Sequence, residues 1–400
     1  MIDIPRTLFL SWCTPDSRYA GGEAIRRLFS KIAPNRIKWC GLNGSLNEPD
    51  PLLPEYRAFV PKGLHWRLEG STLHHLFTNE MQARRLAQDM WEWVRPFEPE
   101  LLWVVPELAA VSVARHLHRM SGLPIHATVH DAPGTCVLAG VPRLYSRVYQ
   151  RGIRELMQNV SSMDCIGPEL LAHMQQHFDA EQADAVVVRP TVAPESLKPV
   201  RAREWDENNV RRIGLCGSFR IEDEQWSAFL RHLGRLPFTF EFISFTPPDA
   251  VPSAVYPKNV SLHFEPYVSR DLELVEAFDR AAVDACYLGM WNTDANALFG
   301  QTSLSSKLTT YSAAAVPVIV HGRHDAAAWQ LIDHYNAGIR FNENEANTHA
   351  ALSGLFSDRT RWADRADGAR RLCEHEFSLE RNVVTLTETL SQTAKSCQTQ

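Results

Sequence analysis

The sequence lacks the features that would place the chain in a membrane or around a structural metal. No apolar run reaches the roughly 20 residues that a membrane-spanning helix needs. The eight cysteines are scattered, without a Cys-x-x-Cys pair or a Cys/His spacing typical of zinc sites. No charged-then-apolar leader opens the chain. These absences predict a cytoplasmic protein of the reducing cytosol without a structural zinc ion.

A large excess of charge of either sign is also missing. The chain carries 41 Lys and Arg against 47 Asp and Glu, for a net charge of -6. That balance argues against a general nucleic-acid binder, which would present a basic surface. With 400 residues, of which 44% are hydrophobic, the chain is long enough for about two or three globular domains.

Apolar strand candidates alternate with amphipathic helix candidates along the chain, which predicts parallel sheets with right-handed crossovers. The predicted strands are Arg6–Trp12, Arg36–Leu42, Leu101–Val105, Ile125–Val129, Asp164–Ile166, Ala185–Val188, Arg212–Phe219, Phe238–Phe245, Val260–Phe264, Val283–Leu288 and Pro317–Val320. The predicted helices are Glu23–Ile32, Glu80–Phe97, Leu108–Met120, Pro142–Gln158, Pro168–His177, Glu222–Leu236, Asp271–Arg280, Leu304–Ala315 and a helical tail beyond Arg359.

A Pro-rich, charged stretch without periodicity, Pro190 to Glu204, divides this pattern in two. We therefore expect an α/β protein with two doubly wound, Rossmann-like domains facing across a cleft. The expected domains are residues 1–192 and 205–376, joined by a linker at 193–204. The last segment, 377–400, is expected to form a helix that crosses back to the first domain.

Two turns that follow predicted strands carry residues suited to a ligand. Gly21 and Gly22 stand before the first helix, where glycines let the backbone approach a ligand closely, although packing alone also explains them. His130 and Asp131 follow the strand Ile125–Val129, at the carboxyl end where open α/β sheets bind ligands. A histidine capped by its neighbour in a tight turn is the alternative.

The segment from Thr302 to Val320 combines a helix start, a cation and a buried strand. Backbone N–H groups at a helix start suit a phosphate. Lys307 in the first turn opposes the helix dipole, so a bound anion would explain it. An ordinary helix–strand unit of an α/β core is the alternative. The candidate caps for this helix are Thr302, Ser303, Ser305 and Ser306.

Four arginines recur at helical spacing in the predicted helix Pro142–Gln158 and share one face. Such a face suits anionic lipid headgroups or a substrate phosphate. A solvated surface is the simpler explanation, so peripheral contact at the inner membrane surface stays open as an alternative. The four residues are Arg143, Arg147, Arg151 and Arg154.

Five stretches, spread over nearly the whole chain, together resemble GT-B fold glycosyltransferases, and most closely the retaining family 4 type (glycosyl transferases group 1). SSKLTTYSAAAVPVIV is similar to the family's SKxxEYxAxGxPV stretch, which contacts the phosphates and ribose of the donor. The others are Gly21-Gly22, Val129-His130-Asp131, IGLCGSFR and AFDRAAVDACYL.

The resemblance implies a nucleotide-diphosphate sugar as donor and no metal or other cofactor. It implies a donor bound by the carboxyl domain and a glycan, lipid or small-molecule acceptor bound by the amino domain. In the amino domain, Gly22, with Gly21 beside it, would offer its N–H to the diphosphate. His130 would lie near the transferred sugar, and Asp131 would fix its loop.

In the carboxyl domain, the resemblance implies that Ser305, Ser306 and Lys307 contact the donor phosphates, with Arg220 near a cation of the family pattern. The family's paired glutamates correspond to Thr302 and Thr310, and neither is acidic. Asp294 lies close by in sequence and is the candidate replacement.

The resemblance implies a hexosyltransferase-like enzyme that retains anomeric configuration, and such an enzyme would stabilise its leaving diphosphate with cations and backbone amides. The replaced glutamates motivate a second hypothesis, a GT-B fold binding or scaffold protein with impaired catalysis. A sugar-nucleotide epimerase of GT-B type is the third.

Overall fold

Two parallel sheets, each flanked by helices, organise the protein. The structure is a computed structural model that describes the chain except residues 13–19, 44–52, 64–67, 134, 136–140, 202–204, 206–209, 218, 220, 269, 292, 294–295, 343–346 and 397–400. One compact unit comprises Met1–Arg189 with the segment from Glu380 onward, and the other comprises Pro190–Leu379. No helix of the described residues has the length and apolarity required to cross a bilayer.

The sheet of the first unit has seven strands, all parallel, in the order β3-β2-β1-β4-β5-β6-β7. Its strands are β1 Thr7–Ser11, β2 Ile37–Gly41, β3 Glu55–Ala58, β4 Leu101–Val104, β5 Ile125–Val129, β6 Val160–Cys165 and β7 Asp184–Val187. Its helices are α1 Ala20–Phe29, α2 Thr72–Leu76, α3 Ala83–Val94, α4 Ala109–Ser121, α5 Arg143–Met157, α6 Pro168–His177 and the C-terminal α14 Leu379–Ser396.

The sheet of the second unit has six parallel strands in the order β10-β9-β8-β11-β12-β13. Its strands are β8 Val210–Leu215, β9 Thr239–Ser244, β10 Val260–Phe264, β11 Ala285–Gly289, β12 Val318–His321 and β13 Gly338–Phe341. Its helices are α7 Asp223–Leu233, α8 Asp271–Arg280, α9 Ala297–Thr302, α10 Lys307–Ala313, α11 Ala327–Tyr335, α12 Thr348–Ser357 and α13 Arg359–Glu376.

Both sheets follow the doubly wound order, which confirms the predicted α/β class. In each sheet the chain runs outward in one direction and then in the other from a central pair of strands, β1/β4 in the first and β8/β11 in the second. Ligands of open α/β sheets bind outside the carboxyl ends of such a pair. The residues that follow β1, β4, β8 and β11 are therefore the first places to look for a site.

Continuous apolar strands build the cores, as expected for strands that helices cover on both faces. In the first unit, Phe9 packs against Phe29, Trp39 and Trp103 at ring-centroid distances of 5.1, 5.2 and 4.8 Å. In the second unit, a Cβ at Gly338 would lie 1.9 Å from the Val318 carbonyl oxygen. Only glycine therefore permits the observed approach of β13 to β12.

A buried polar network connects β4, β5 and β6 to the C-terminal helix. The ring of His126 bridges Ser162 Oγ and Asp164 Oδ1, each at 2.8 Å. Thr128 Oγ1 donates to the same Asp164 oxygen at 2.5 Å, and Ser162 Oγ lies 2.5 Å from Thr393 Oγ1 of α14. His126 is completely buried, so this Ser-His-Asp arrangement is structural and attaches α14 to the first unit.

The two chain passages between the units are adjacent. Val192 and Ser378 form an isolated parallel bridge, and the Val192 N–H donates to the Phe377 carbonyl at 3.1 Å. In the segment expected as a linker, the Lys198 N–H donates to the Ala313 carbonyl of the second unit at 2.8 Å. That segment is described as far as Arg201 and again at Trp205.

Several predicted elements match the structure, and others needed correction. The strands Ile125–Val129 and Val260–Phe264 and the helices Pro168–His177 and Asp271–Arg280 have the predicted bounds. The predicted helix Glu80–Phe97 is wrong at both ends, because a π-helical turn occupies Phe77–Met81 and α3 ends at Val94 before a 3-10 turn containing Pro96.

Candidate active site

The carboxyl edge of the first sheet gathers three ionisable residues. His130 and Asp131 follow β5, and Glu107 follows the neighbouring strand β4, all partly buried. β4 and β5 are paired, with Val104 opposite Ala127, so their following residues share one edge of the sheet. Burial raises the pKa of Glu107, while the charge of His130 lowers it and that of Asp131 raises it again. The three groups therefore act on each other electrostatically.

The backbone beside Glu107 is strained. Leu108 has φ 45° and ψ −121°, a conformation that only glycine adopts readily. The Glu107 N–H donates to the Val105 carbonyl at 2.8 Å, and the Tyr149 hydroxyl donates to the Pro106 carbonyl at 3.0 Å. Tyr149 is itself buried. These contacts hold the turn in place and direct the chain sharply out of β4 into α4.

Gly21 and Gly22 lie inside the first turn of α1, because that helix begins at Ala20. The expectation that the helix starts at Glu23, after the two glycines, is therefore wrong. Gly22 is buried. The helix belongs to the connection that follows β1, one of the two central strands, which is where a close backbone approach to a ligand is useful.

In the second unit, Lys307 packs on the turn that follows β8. Gly217 has φ +65°, and a Cβ there would lie 3.3 Å from Lys307 Cδ. The Thr246 hydroxyl donates to the Gly217 carbonyl at 2.9 Å, which fixes this turn from β9. β8 is a central strand of its sheet. The alkyl chain of Lys307 is thus held against the carboxyl end of β8, where a ligand would be expected.

Cys216, at the end of β8, also interacts with residues of α10. Burial raises the pKa of Cys216 to about 11, while a hydrogen bond with Tyr311 and the charge of Lys307 both lower it. The Tyr311 hydroxyl accepts a hydrogen bond from the Cys216 N–H at 3.2 Å. Tyr311 and Lys307, both on α10, therefore contact the end of β8 from one side.

The helix that carries Lys307 is shorter than the predicted Leu304–Ala315. α10 spans Lys307–Ala313, so Lys307 is its first residue. Ser306, at the cap position, has helical dihedrals, φ −58° and ψ −22°, and makes no side-chain cap. Ser305 accepts the Leu308 N–H through its backbone carbonyl at 2.9 Å. The described residues at the start of α10 therefore do not include the expected serine or threonine side-chain cap. The helix is also too short to provide a strong dipole.

Thr302 and Thr310 are both buried and both satisfied. Thr302 is the last residue of α9, not a cap of the next helix, and its hydroxyl donates to the Leu298 carbonyl at 2.7 Å. The Thr310 hydroxyl donates to Asp271 Oδ1 of α8 at 2.9 Å. A carboxylate thus lies beside Thr310, although it comes from another helix.

Two predicted site residues, Arg220 and Asp294, lie outside the described residues. Among the residues that the structure does describe, no group of three or more His, Cys, Asp or Glu could hold a metal ion.

The arginine face of α5 is exposed and partly neutralised. Arg151 Nε pairs with Glu155 at 2.9 Å. Arg154 donates to the His177 carbonyl at 3.1 Å and lies 5.6 Å above the ring of Phe178. Arg143 and Arg147, nearer the start of the helix, are exposed.

Sequence reasoning missed Glu107 and Asp271. Glu107 had a usable signal, since a charged residue directly follows an apolar run and a proline, Val104-Val105-Pro106. Asp271 had none, because its contact with Thr310 joins two helices that are 39 positions apart in the chain.

Nearly the whole chain aligns with solved structures of the same fold. Sucrose-phosphate synthase from Thermosynechococcus elongatus aligns with a TM-score of 0.66 at 10% identity, covering 98% of this chain and 100% of that chain. α,α-Trehalose 6-phosphate synthase from Burkholderia multivorans aligns with a TM-score of 0.64 at 12% identity, covering 98% and 100%. Anabaena HepE, solved in complex with UDP and glucose, aligns with a TM-score of 0.62 at 12% identity, covering 97% and 100%.

No family model matches the sequence. No curated protein sequence matches it either. The likeness is therefore one of fold: the chain has the two Rossmann-like units of GT-B proteins.

Proposed function

We propose that this protein is a retaining glycosyltransferase that transfers a sugar from a nucleotide-diphosphate sugar to a hydroxyl of a glycan, lipid or small molecule, without a metal ion. The fold supports the class of reaction, since Anabaena HepE, of the same fold, was solved with UDP and glucose. At such low identity the fold alone does not define an activity, so the proposal depends on this chain's own residues.

The observation that carries the proposal is the position of Lys307. Its alkyl chain packs on the Gly217 turn, which directly follows a central strand of the second sheet. This is the position at which doubly wound sheets bind nucleotides. A lysine held there supplies a positive charge for a diphosphate. We assign the donor to the second unit, with Ser305, Ser306 and Lys307 at its phosphates and Arg220 as a further cation.

The chemistry that follows is electrostatic. When the bond between the anomeric carbon and the donor oxygen breaks, negative charge grows on the leaving diphosphate. A cation already in position stabilises that charge without reorganisation at the moment of reaction. Gly22, in the first turn of α1, is proposed to offer its backbone N–H to a phosphate group, with Gly21 next to it.

His130 and Asp131 are assigned to the sugar side of the reaction. His130 lies at the carboxyl edge of the first sheet, where its imidazole can hydrogen-bond a sugar hydroxyl. Asp131, its neighbour, is assigned the role of fixing the turn. The first unit is assigned the acceptor.

The replacement of two expected glutamates by Thr302 and Thr310 bears on the ribose. Asp271 accepts the hydrogen bond of Thr310, so a carboxylate lies beside that position. Together with Asp294, it is the candidate to bind the ribose hydroxyls.

The second candidate function is a binding or scaffold protein that binds the nucleotide without turnover, and Thr302 and Thr310 favour it. A third is a sugar-nucleotide epimerase. Calorimetry with UDP, GDP and ADP identifies the base, and sugar release from the matching nucleotide sugars measures turnover. We expect one diphosphate to bind and its glucose conjugate to be hydrolysed slowly. Binding without hydrolysis or transfer supports a scaffold, a changed free nucleotide sugar supports an epimerase, and no binding of any diphosphate contradicts the proposal.

The protein is proposed to act in the cytoplasm. The exposed residues Arg143 and Arg147 leave room for peripheral contact with anionic lipid at the inner membrane surface, which a lipid acceptor would favour. Sedimentation with vesicles of anionic and of neutral phospholipid tests this contact. Equal recovery of the protein with both kinds of vesicle would exclude it.

A further inference from the structure

Glu107 occupies the position of its sheet best suited to contact a ligand. It follows β4, and β4 pairs with β1 at the point where the strand order of the first sheet reverses. His130 follows β5, one strand further out. Because ligands of doubly wound sheets bind outside the carboxyl ends of the two central strands, Glu107 lies closer to that crevice than His130 does.

Within the described chain, no lysine or arginine side chain acts on the Glu107 carboxylate. A partly buried structural carboxylate is normally held by hydrogen bonds or by a cation. The ionisable groups that act on Glu107 within the described chain are His130, Asp131 and Tyr149, and none of them is a lysine or an arginine. Burial raises the pKa of the Glu107 carboxyl group, so folding disfavours its charged form.

The backbone directly after Glu107 is strained. Leu108, at φ 45° and ψ −121°, is one of the few non-glycine residues of the described chain with positive φ. Such a conformation costs about 1–3 kcal/mol and persists where the surroundings impose it, often at ligand-binding sites. Here the Tyr149 hydroxyl donates to the Pro106 carbonyl at 3.0 Å and anchors the backbone two residues before Leu108. A strained residue and a carboxyl group whose ionisation is disfavoured by burial are therefore neighbours in the chain.

We propose that the Glu107 carboxyl group binds a hydroxyl of the acceptor, next to His130, and orients that hydroxyl for transfer. This inference rests on the proposed function and deepens it, because it names the acceptor as a sugar or other polyol bound through uncharged hydroxyl groups. A carboxylate accepts hydrogen bonds from two hydroxyls, whereas it would repel an acidic group at this place.

The first test observes Glu107 directly and needs no turnover. The carboxyl carbon of Glu107 is followed by NMR in protein labelled with carboxyl-13C glutamate and is assigned by its loss in Glu107→Gln. The probes are D-glucose, D-mannose and N-acetylglucosamine, each with and without UDP. We expect at least one sugar to shift the Glu107 signal. If none does, the proposal is overturned, whatever the protein's activity.

Glu100 provides a matched control on the other end of the same strand. It precedes β4, and its carboxylate accepts the Arg6 N–H at 2.8 Å, so its role is structural. The Glu100 signal should not move with sugar. Glu100→Gln should lower the melting temperature through the weakened hydrogen bond, with unchanged sugar binding. A shift of both signals would indicate non-specific sugar effects and would reject the assignment to Glu107.

Stability against pH separates a ligand-binding carboxyl from a structural one. Because the pKa of Glu107 is raised in the folded state, the native protein keeps a proton that the unfolded chain loses, and stability falls as pH rises toward the raised pKa. Glu107→Gln removes this loss, so its melting temperature relative to wild type should rise as pH increases from the ordinary glutamate pKa of about 4.3 through the raised pKa of the folded state. A variant that is less stable than wild type throughout would mean that Glu107 serves the fold.

Turnover then connects Glu107 to the reaction. In sugar transfer from the matching nucleotide sugar to the acceptor sugar that shifts the Glu107 signal, Glu107→Gln should lower kcat at least about tenfold while the Kd for the nucleoside diphosphate stays unchanged, since the residue is assigned to the acceptor side. A changed Kd for UDP with normal kcat would move Glu107 to the donor and contradict the proposal. A wild-type protein that binds no nucleotide would defeat the proposed function alone, because the sugar-induced shift of the Glu107 signal is measured independently.

Discussion

Removing the charge of Lys307 while keeping its shape should weaken nucleotide binding sharply. Lys307→Met preserves most of the alkyl chain that covers the Gly217 turn, at 3.3 Å from the position of a Cβ, so the fold should be little affected. Hydrogen bonds to charged groups contribute about 1.5–3 kcal/mol. Since about 1.4 kcal/mol is a tenfold change, the Kd for the nucleoside diphosphate should rise about 10- to 150-fold. Lys307→Ala should lose at least as much affinity and also some stability.

Isothermal titration calorimetry with the diphosphate measures this change, and salt provides a second reading. As ionic strength rises toward about 1 M, salt screens the lysine charge, so the Kd values of wild type and variant should become more similar. Lys258→Met is the matched control, because Lys258 is an exposed lysine of the same unit that precedes β10 at the opposite edge of the sheet. It should bind like wild type. Equal affinity of Lys307→Met and wild type, in a variant with a normal melting temperature, would refute the role of Lys307.

Three further changes test other parts of the structure. His130→Ala should leave diphosphate binding nearly intact and lower kcat at least about tenfold, about 1.4 kcal/mol, in a single-turnover assay; lower stability with normal turnover would make His130 a turn residue. Gly338→Ala should destabilise the protein by at least about 4 kcal/mol in urea unfolding, since its Cβ would overlap the Val318 carbonyl, whereas Gly63→Ala, with only a His74 carbon at 3.9 Å, should change stability by less than about 0.5 kcal/mol. Thr393→Val should cost about 1–3 kcal/mol, because it leaves the buried Ser162 hydroxyl without one of its partners; an unchanged unfolding midpoint would show that the network rearranges.

Much of the fold was predictable because strong local signals agreed with the final packing. The strand Ile125–Val129 contains three β-branched residues and is bounded by Pro124 and by His130-Asp131, and α6 begins at a proline in its first position. The strand β3 escaped prediction because Glu55–Ala58 has no fully buried residue, as befits an edge strand. The strand β13 escaped because four residues that begin with a glycine carry little signal, and its place depends on the approach to β12.

Some features of the candidate site were likewise predictable from the sequence, and others were not. His130 was proposed because it follows a predicted strand, and Lys307 was proposed because it is a cation in the first turn of a predicted helix. The start of α10 at Lys307 was not predicted, because Leu304 is apolar and suits a helix by composition. In the structure, Leu304 is buried in the connection that precedes the helix. Glu107 could have been proposed from its position after Val104-Val105-Pro106, whereas no sequence pattern indicates the unusual dihedral angles of Leu108 beside it.

The adjacent chain passages at Val192 and Ser378 make the second unit an insertion within the first. As the chain leaves the ribosome, the seven strands of the first unit are made early, but the helix that carries Thr393 arrives only after the entire second unit has been synthesised. Until then, α14 does not cover Ser162 and the groups around His126. The second unit can fold on its own schedule, since its two ends meet. The first unit must wait in an incomplete state, and that interval is when the nascent protein is most exposed to aggregation and most in need of a chaperone.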